Sequence, residues 1–223
     1  MTLSHNIFGS PIEFDENILN ILIIENRSYY QKIAAELIEQ IDGNDGDFLV
    51  FEKDKELKFS KSVEIVTDLF HININQNKFL AKLYSEIKSR FLQKEDFDKF
   101  ATFSSSILEF LEIVSEDFEY QITYDSDVDI IALLKAQSVK FVFEGKSVLD
   151  KLLDYLKILR DFYGTKLFII ANLKSTLSQE EFENFKTYVF YNKINVLVLE
   201  TNCYKVEENE KVKIIDKDLC IID

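Results

Sequence analysis

A buried strand runs straight into a helix, and no phosphate loop separates them. Residues 18–24, Ile-Leu-Asn-Ile-Leu-Ile-Ile, are apolar without alternation, as in a strand covered on both faces. Apolar positions then recur at helical spacing through Tyr30, Ile33, Ala34, Leu37, Ile38 and Ile41. A nucleotide-binding α/β protein places glycines at this junction, because backbone N–H groups must approach a phosphate closely. Here the junction is Glu25-Asn26-Arg27-Ser28-Tyr29, with no glycine and no GK[ST]. A carboxylate stands where an anion would bind. The scaffold looks like that of an NTPase without its phosphate site, so function is expected to come from surface charge and assembly.

Four further apolar runs, 48–51, 140–143, 167–173 and 194–199, predict buried strands. The last three alternate with helices, which predicts a βαβαβ core with parallel strands. Ser147 is the expected N-cap of a helix carrying Val148, Leu149, Leu152, Leu153, Leu156, Leu159 and Phe162, and Gly164 its expected stop. Ser178 and Glu181 form a capping box for the next helix. Residues 212–215 and 219–222 predict an edge hairpin. From 75 to 137 the only strand-like stretch is 120–124. Phe79, Leu80, Leu83, Ile87 and Phe91 recur at helical spacing, and so do Phe97, Phe100, Ile107, Leu108, Leu111 and Val114. They predict an antiparallel pair of long helices, with a third at 130–137 returning the chain to the sheet. The expected fold is α/β: a P-loop-NTPase-like parallel-sheet head (1–73 and 139–223) lacking a phosphate loop, interrupted by an all-helical leg (74–138).

The 47 % of hydrophobic residues can fill a substantial core. One proline and five glycines favour long regular elements. Cys203 and Cys220 are the two cysteines. With a polar N-terminus and no apolar run near the ~20 residues of a membrane span, they predict free thiols in a reducing cytoplasm.

Catalytic motifs are absent. His5 and His71 are the two histidines, with His5 expected in a disordered tail and Asp68–His71 as a loop contact. There is no zinc spacing and no G-x-S-x-G elbow. The chain is expected not to be an enzyme.

Two charge constellations remain in a chain of net charge −14. Between Lys99 and Lys135 there is no Lys or Arg, while Glu109, Glu112, Glu116, Asp117, Glu119, Asp125, Asp127 and Asp129 all fall there. Extended, Asp125, Asp127 and Asp129 line one side and suit a hard cation such as calcium. Alternatively, the glutamates form a solvated helix face, and Asp127 or Asp129 caps the helix that follows. The opposite constellation is Lys53, Lys55, Lys58 and Lys61, partly offset by Asp54 and Glu56. Repeated around a symmetry axis, this segment would hold a duplex by its phosphates without reading bases.

Collinear stretches carry a resemblance over nearly the whole chain. They are Pro11-Ile12-Glu13, residues 51–58 (Phe-Glu-Lys-Asp-Lys-Glu-Leu-Lys), Val66-Thr67-Asp68 leading to residues 72–75, residues 132–136 through 139–141, and residues 167–172 through 196–200. They resemble the short form of the accessory spacer-acquisition protein of type II-A CRISPR systems, the Csn-two family. The resemblance implies a degenerate P-loop-like head with a helical leg, and a ring-shaped homotetramer with a lysine-lined hole. It implies sequence-independent binding of double-stranded DNA ends, calcium held by acidic residues, and action beside the CRISPR integrase proteins and the RNA-guided nuclease, without enzymatic activity. Carried onto this chain, Lys53, Lys55, Lys58 and Lys61 fall in the DNA-facing segment. Glu116, Asp117, Glu119, Asp125, Asp127 and Asp129 fall in the calcium region, with the ligands among them unassigned. No membrane and no nucleotide are expected. Two other classes stay open: a cytosolic acidic protein-interaction module without DNA binding, and an ATPase with an unusual phosphate site near 25–27.

Overall fold

The computed structural model describes residues 1–92, 97–202 and 204–222, without the side chains of 92, 97 and 98. Cys203 lies outside the described residues; Cys220 is an exposed free thiol. The chain divides into two compact units, 1–73 with 143–223, and 74–142.

The first unit opens with β1 (Thr2–Ser4), a 3-10 turn, β2 (Ile12–Glu13), β3 (Leu19–Ile24) and α1 (Arg27–Ile41). Then come β4 (Leu49–Glu52), β5 (Lys55–Leu57), α2 (Phe59–Ser62) and β6 (Val63–Val66). The second unit holds α3 (Asn77–Leu92), α4 (Phe97–Glu116) and α5 (Ile130–Ala136). The first unit resumes with α6 (Val148–Ile158), β7 (Leu167–Ala171), α7 (Leu173–Thr176), α8 (Gln179–Tyr191), β8 (Asn195–Glu200), β9 (Glu210–Ile215) and β10 (Ile221–Ile222).

Six strands form the main sheet in the order β10-β9-β3-β8-β7-β6. All pair in parallel except β10, the antiparallel edge of a hairpin with β9. The sheet has two covered faces because its central strands offer apolar residues to both. Leu22, Ile24, Ile169, Leu197 and Leu199 meet Ile33 and Leu37 of α1 in one core. The alternate residues Ile21, Ile23, Phe168, Ile170, Val196 and Val198 are as deeply buried, as are Leu152 and Leu156 of α6 and Phe182 and Phe185 of α8. Helix ends follow their sequence signals. Ser147 and Ser178 each close a capping box, with Asp150 and Glu181. Gly164, at φ +73°, ends the π-helical turn Leu159–Tyr163 that prolongs α6, a conformation glycine adopts without a Cβ penalty.

Five expectations are corrected. Residues 48–51 do not join the parallel sheet. β4 lies in a second, antiparallel sheet of order β2-β1-β4-β5, because Phe48 and Val50 turn inward while Leu49 faces out. Residues 140–143 form no strand. The Asn75 side chain supplies what a neighbouring strand would, accepting from the Phe141 N–H (2.9 Å) and donating to its carbonyl (3.1 Å). The sheet position expected of that run belongs to β6, whose short sequence is interrupted by Glu64. That carboxylate accepts a hydrogen bond from the Tyr155 hydroxyl at 2.8 Å. Residues 120–124 are irregular rather than a strand, and β7 stops at Ala171 because Asn172 turns left-handed (φ 56°).

The fifth correction is His5, which is not in a disordered tail. Its ring stacks on Phe48 (centroids 4.1 Å apart), and Phe48 in turn contacts Phe8 and Phe59. The Ile7 N–H donates to His5 Nδ1 (3.2 Å). That bond needs the Nδ1 lone pair, so a neutral ring carries its proton on Nε2, which donates to Glu36 Oε1 at 3.1 Å. Phe48→Ala should cost about 3–5 kcal/mol, and His5→Ala about 1–3 kcal/mol, measured as shifts in urea-unfolding midpoint. A His5→Ala midpoint equal to wild type would return the N-terminus to a passive tail.

Candidate nucleic-acid interface

The four lysines sit on one short, anchored segment of the first unit. β4 and β5 pair antiparallel with Glu52 opposite Lys55, leaving Lys53 and Asp54 as a two-residue turn. Both have positive φ, 48° and 64°, the conformation that matches the strand twist in a tight hairpin. Lys58 is the N-cap residue of α2, and Lys61 lies in its last turn. Between them Phe59 is buried and packs on Phe48. A hydrophobic plug thus holds the segment while all four lysines point to solvent. Among the described residues none of the four has an ion-pair partner. The nearby Glu52 pairs instead with Lys166, at 3.4 Å.

The acidic residues lie in the second unit, and all six are exposed. Glu116 ends α4. Asp117, Glu119, Asp125 and Asp127 follow in irregular chain. Asp129 is the N-cap of α5, where its Oδ1 accepts the Ile131 N–H at 2.9 Å. Among the described residues, no three of these six bring ligand oxygens within 4.8 Å of one another. The group that does converge is His5, Glu36 and Asp47, which sequence spacing could not reveal. It suits a metal poorly. His5 Nε2 carries a proton held by Glu36, and freeing its lone pair would move that proton to Nδ1, against the Ile7 N–H.

The place where a nucleotide phosphate would lie is filled from within. Asn26 caps α1, its side chain accepting from the Tyr29 N–H (3.1 Å) and donating to the Lys217 carbonyl (3.1 Å). At the end of β8, beside β3 in the sheet, stands Glu200, fully buried. Ligands of open α/β sheets bind outside these strand ends. Glu200 accepts from the Lys174 N–H at 2.7 Å through Oε1, while among the described residues Oε2 has no partner at hydrogen-bond distance. Lys174 cannot neutralise it fully, because its ammonium bonds Glu210 at 2.8 Å. Burial therefore pushes the Glu200 carboxyl up to about 7, against the pull of the Lys174 N–H and ammonium. Tyr30 is raised by burial and by the charge of Glu200. Asp68 and His71 make an exposed loop contact at 2.6 Å, and that bond lowers the Asp68 carboxyl. Among the described residues no helix is long and apolar enough to cross a membrane.

Comparison with known proteins gives three findings. The sequence profile of the CRISPR-associated protein family Cas_Csn2 matches residues 40–219. A CRISPR-associated protein Csn2 from Enterococcus faecalis is 23 % identical over 220 residues, 98 % of this chain and 96 % of that protein. A crystal structure of an ABC-transporter ATP-binding cassette in its ADP conformation aligns at TM-score 0.44 and 11 % identity, over 96 % of this chain and 84 % of that one.

Glu200 makes a pH-dependent prediction. Its folded value lies above the ordinary 4.5, so between roughly pH 4.5 and 7 the folded state holds a proton that the unfolded state has lost. Its contribution therefore falls as pH rises through that window and is fully lost above it. Glu200→Gln should flatten that limb of a stability–pH profile followed by chemical denaturation. An unchanged slope would place the titration elsewhere.

Proposed function

The chain belongs to the Csn2 family of CRISPR-associated proteins, and from that premise we propose that it is a non-enzymatic clamp on double-stranded DNA ends. It closes as a homotetrameric ring, holds DNA without regard to sequence, and supports spacer acquisition beside the integrase proteins and the RNA-guided nuclease in the cytoplasm. The observation that carries this proposal is the anchored segment with four exposed lysines, none ion-paired among the described residues. In a chain with 40 acidic residues, cations left without carboxylate partners are available to phosphate. Affinity then comes from phosphate neutralisation and counterion release.

Calcium enters as the counter-charge of the leg. The donor set Glu116, Asp117, Glu119, Asp125, Asp127 and Asp129 is all hard oxygen, which fits calcium. Dispersal of these carboxylates within one chain favours weak binding, completed by water, in which the ion reduces repulsion between crowded acids. α4 also exposes Phe110 and Ile113, and Phe118 is exposed just beyond its end, beside Glu109, Glu112 and Glu116, an apolar surface that a subunit contact would cover. The same surface supports the second class, an acidic interaction module that docks a basic partner and binds no DNA.

Lys53→Glu and Lys58→Glu should each weaken duplex binding severalfold without altering the circular dichroism spectrum. Each should also lower the slope of log affinity against log salt by about one. DNA retention by Lys58→Glu equal to wild type would count against the lysine segment as the interface.

A further inference from the structure

The leg carries a second basic feature, set apart from the acidic stretch. A cavity of about 530 Å³ lies between the first turns of α3 and the segment that follows α5. Its polar lining is Lys135, Lys140, Asn75, Asn77, Ser138 and the buried Tyr84, and among the described residues no carboxylate lines it. That composition is unexpected in its surroundings. The preceding residues 100–134 contain eight acids and no Lys or Arg. Even so, neither Lys135 nor Lys140 is paired with a carboxylate among the described residues, and both are exposed.

The walls are fixed before any ligand arrives. The Tyr84 hydroxyl donates to the Val139 carbonyl at 2.9 Å. Asn75 brackets Phe141 through both of its backbone groups. The Ser138 N–H donates to the Lys135 carbonyl at 3.0 Å, with Ser138 turned left-handed (φ 52°). This turn places Lys135, on the last turn of α5, and Lys140, beyond it, on the same cavity. Two lysines, the Ser138 hydroxyl and the Asn77 amide thus line one cavity, alongside the start of a 16-residue helix whose dipole favours negative charge. Several donors around two cations suit a multiply charged oxyanion better than a single carboxylate.

We propose that this cavity of the leg is a phosphate-binding site. Its volume exceeds that of one phosphate group and falls in the range of small-ligand pockets. It therefore takes the phosphate together with what it is attached to, either the backbone of a duplex or a free phosphate compound. The inference rests on the DNA-clamp proposal for the first of these sources only.

The test uses the full chain and the double variant Lys135→Gln/Lys140→Gln. Inorganic pyrophosphate is titrated by calorimetry, and a short linear duplex by fluorescence anisotropy across a salt series. Lys32→Gln/Lys157→Gln, the same charge change on exposed residues that do not line the cavity, is the control. Loss of pyrophosphate binding, with duplex affinity falling about 5–10-fold and the salt slope dropping by one to two, assigns the site to backbone phosphate. Loss of pyrophosphate binding alone assigns it to a free phosphate compound. If wild type binds no duplex but binds pyrophosphate through these lysines, the clamp proposal falls and the site stands. Duplex affinity unchanged in the variant, with pyrophosphate binding absent or equal in both proteins, overturns the proposal. So does an equal loss of duplex affinity in the control.

Discussion

His5, Phe8, Phe48 and Phe59 form one aromatic cluster, and the position of the lysine segment depends on it. Phe59 ties α2 to Phe48, and Phe48 ties β4 to the stacked ring of His5. Its three phenylalanines belong to the core that α1 and the main sheet share. Without that plug, the four lysines would sit on a free loop, and each phosphate contact would have to order the chain as well as neutralise charge. With it, a hairpin turn and one turn of helix hold the cations at fixed spacing. A rigid cationic surface is what sequence-independent binding requires, since phosphates recur at a regular interval and bases are not read.

In the same head, the β3–α1 junction is capped from within. The β3–α1 junction needs close backbone approach to hold phosphate, and here Asn26 spends its side chain on the Tyr29 N–H and the Lys217 carbonyl. Behind it Glu200 places a buried carboxyl at the strand ends. An incoming phosphate would meet a closed cap and an acid, where a P-loop offers free N–H groups and a lysine. Retaining Glu200 costs stability at neutral pH, and its bond to the Lys174 N–H holds the start of α7 in return.

Much of this was legible in the sequence, for identifiable reasons. β3, β7 and β8 are continuous apolar runs, and both capping boxes carry their serine and acid at fixed spacing. The helical leg was visible as a change from runs to 3.6-residue periodicity. Three failures have physical causes. Residues 140–143 look like a strand, but the amide of Asn75, 66 residues away, plays the partner. β6 was hidden because Glu64, satisfied by Tyr155, breaks an already short run. His5 looked like tail because its partners, Glu36 and Phe48, lie far along the chain. Of the charged residues, the lysine cluster could be read from local spacing. The cavity of Lys135 and Lys140 depends on a turn at Ser138 and on α3, and local spacing reveals neither.

Charge is divided unevenly along this chain, and the division makes the net value of −14 a poor guide to partners. Four lysines without carboxylate partners among the described residues lie on one anchored segment, and residues 100–134 of the leg have no Lys or Arg. If copies of that segment close around an axis, the surrounding acid repels phosphate everywhere except inside the ring. Closure has a topological consequence that charge alone does not. The most direct measurement is retention of one duplex sequence in linear and in covalently closed relaxed form, each with calcium and with chelator, at fixed salt. Calcium-dependent retention of the linear form, with the closed form released, is the predicted result. Equal retention of both forms would contradict a ring that loads from ends.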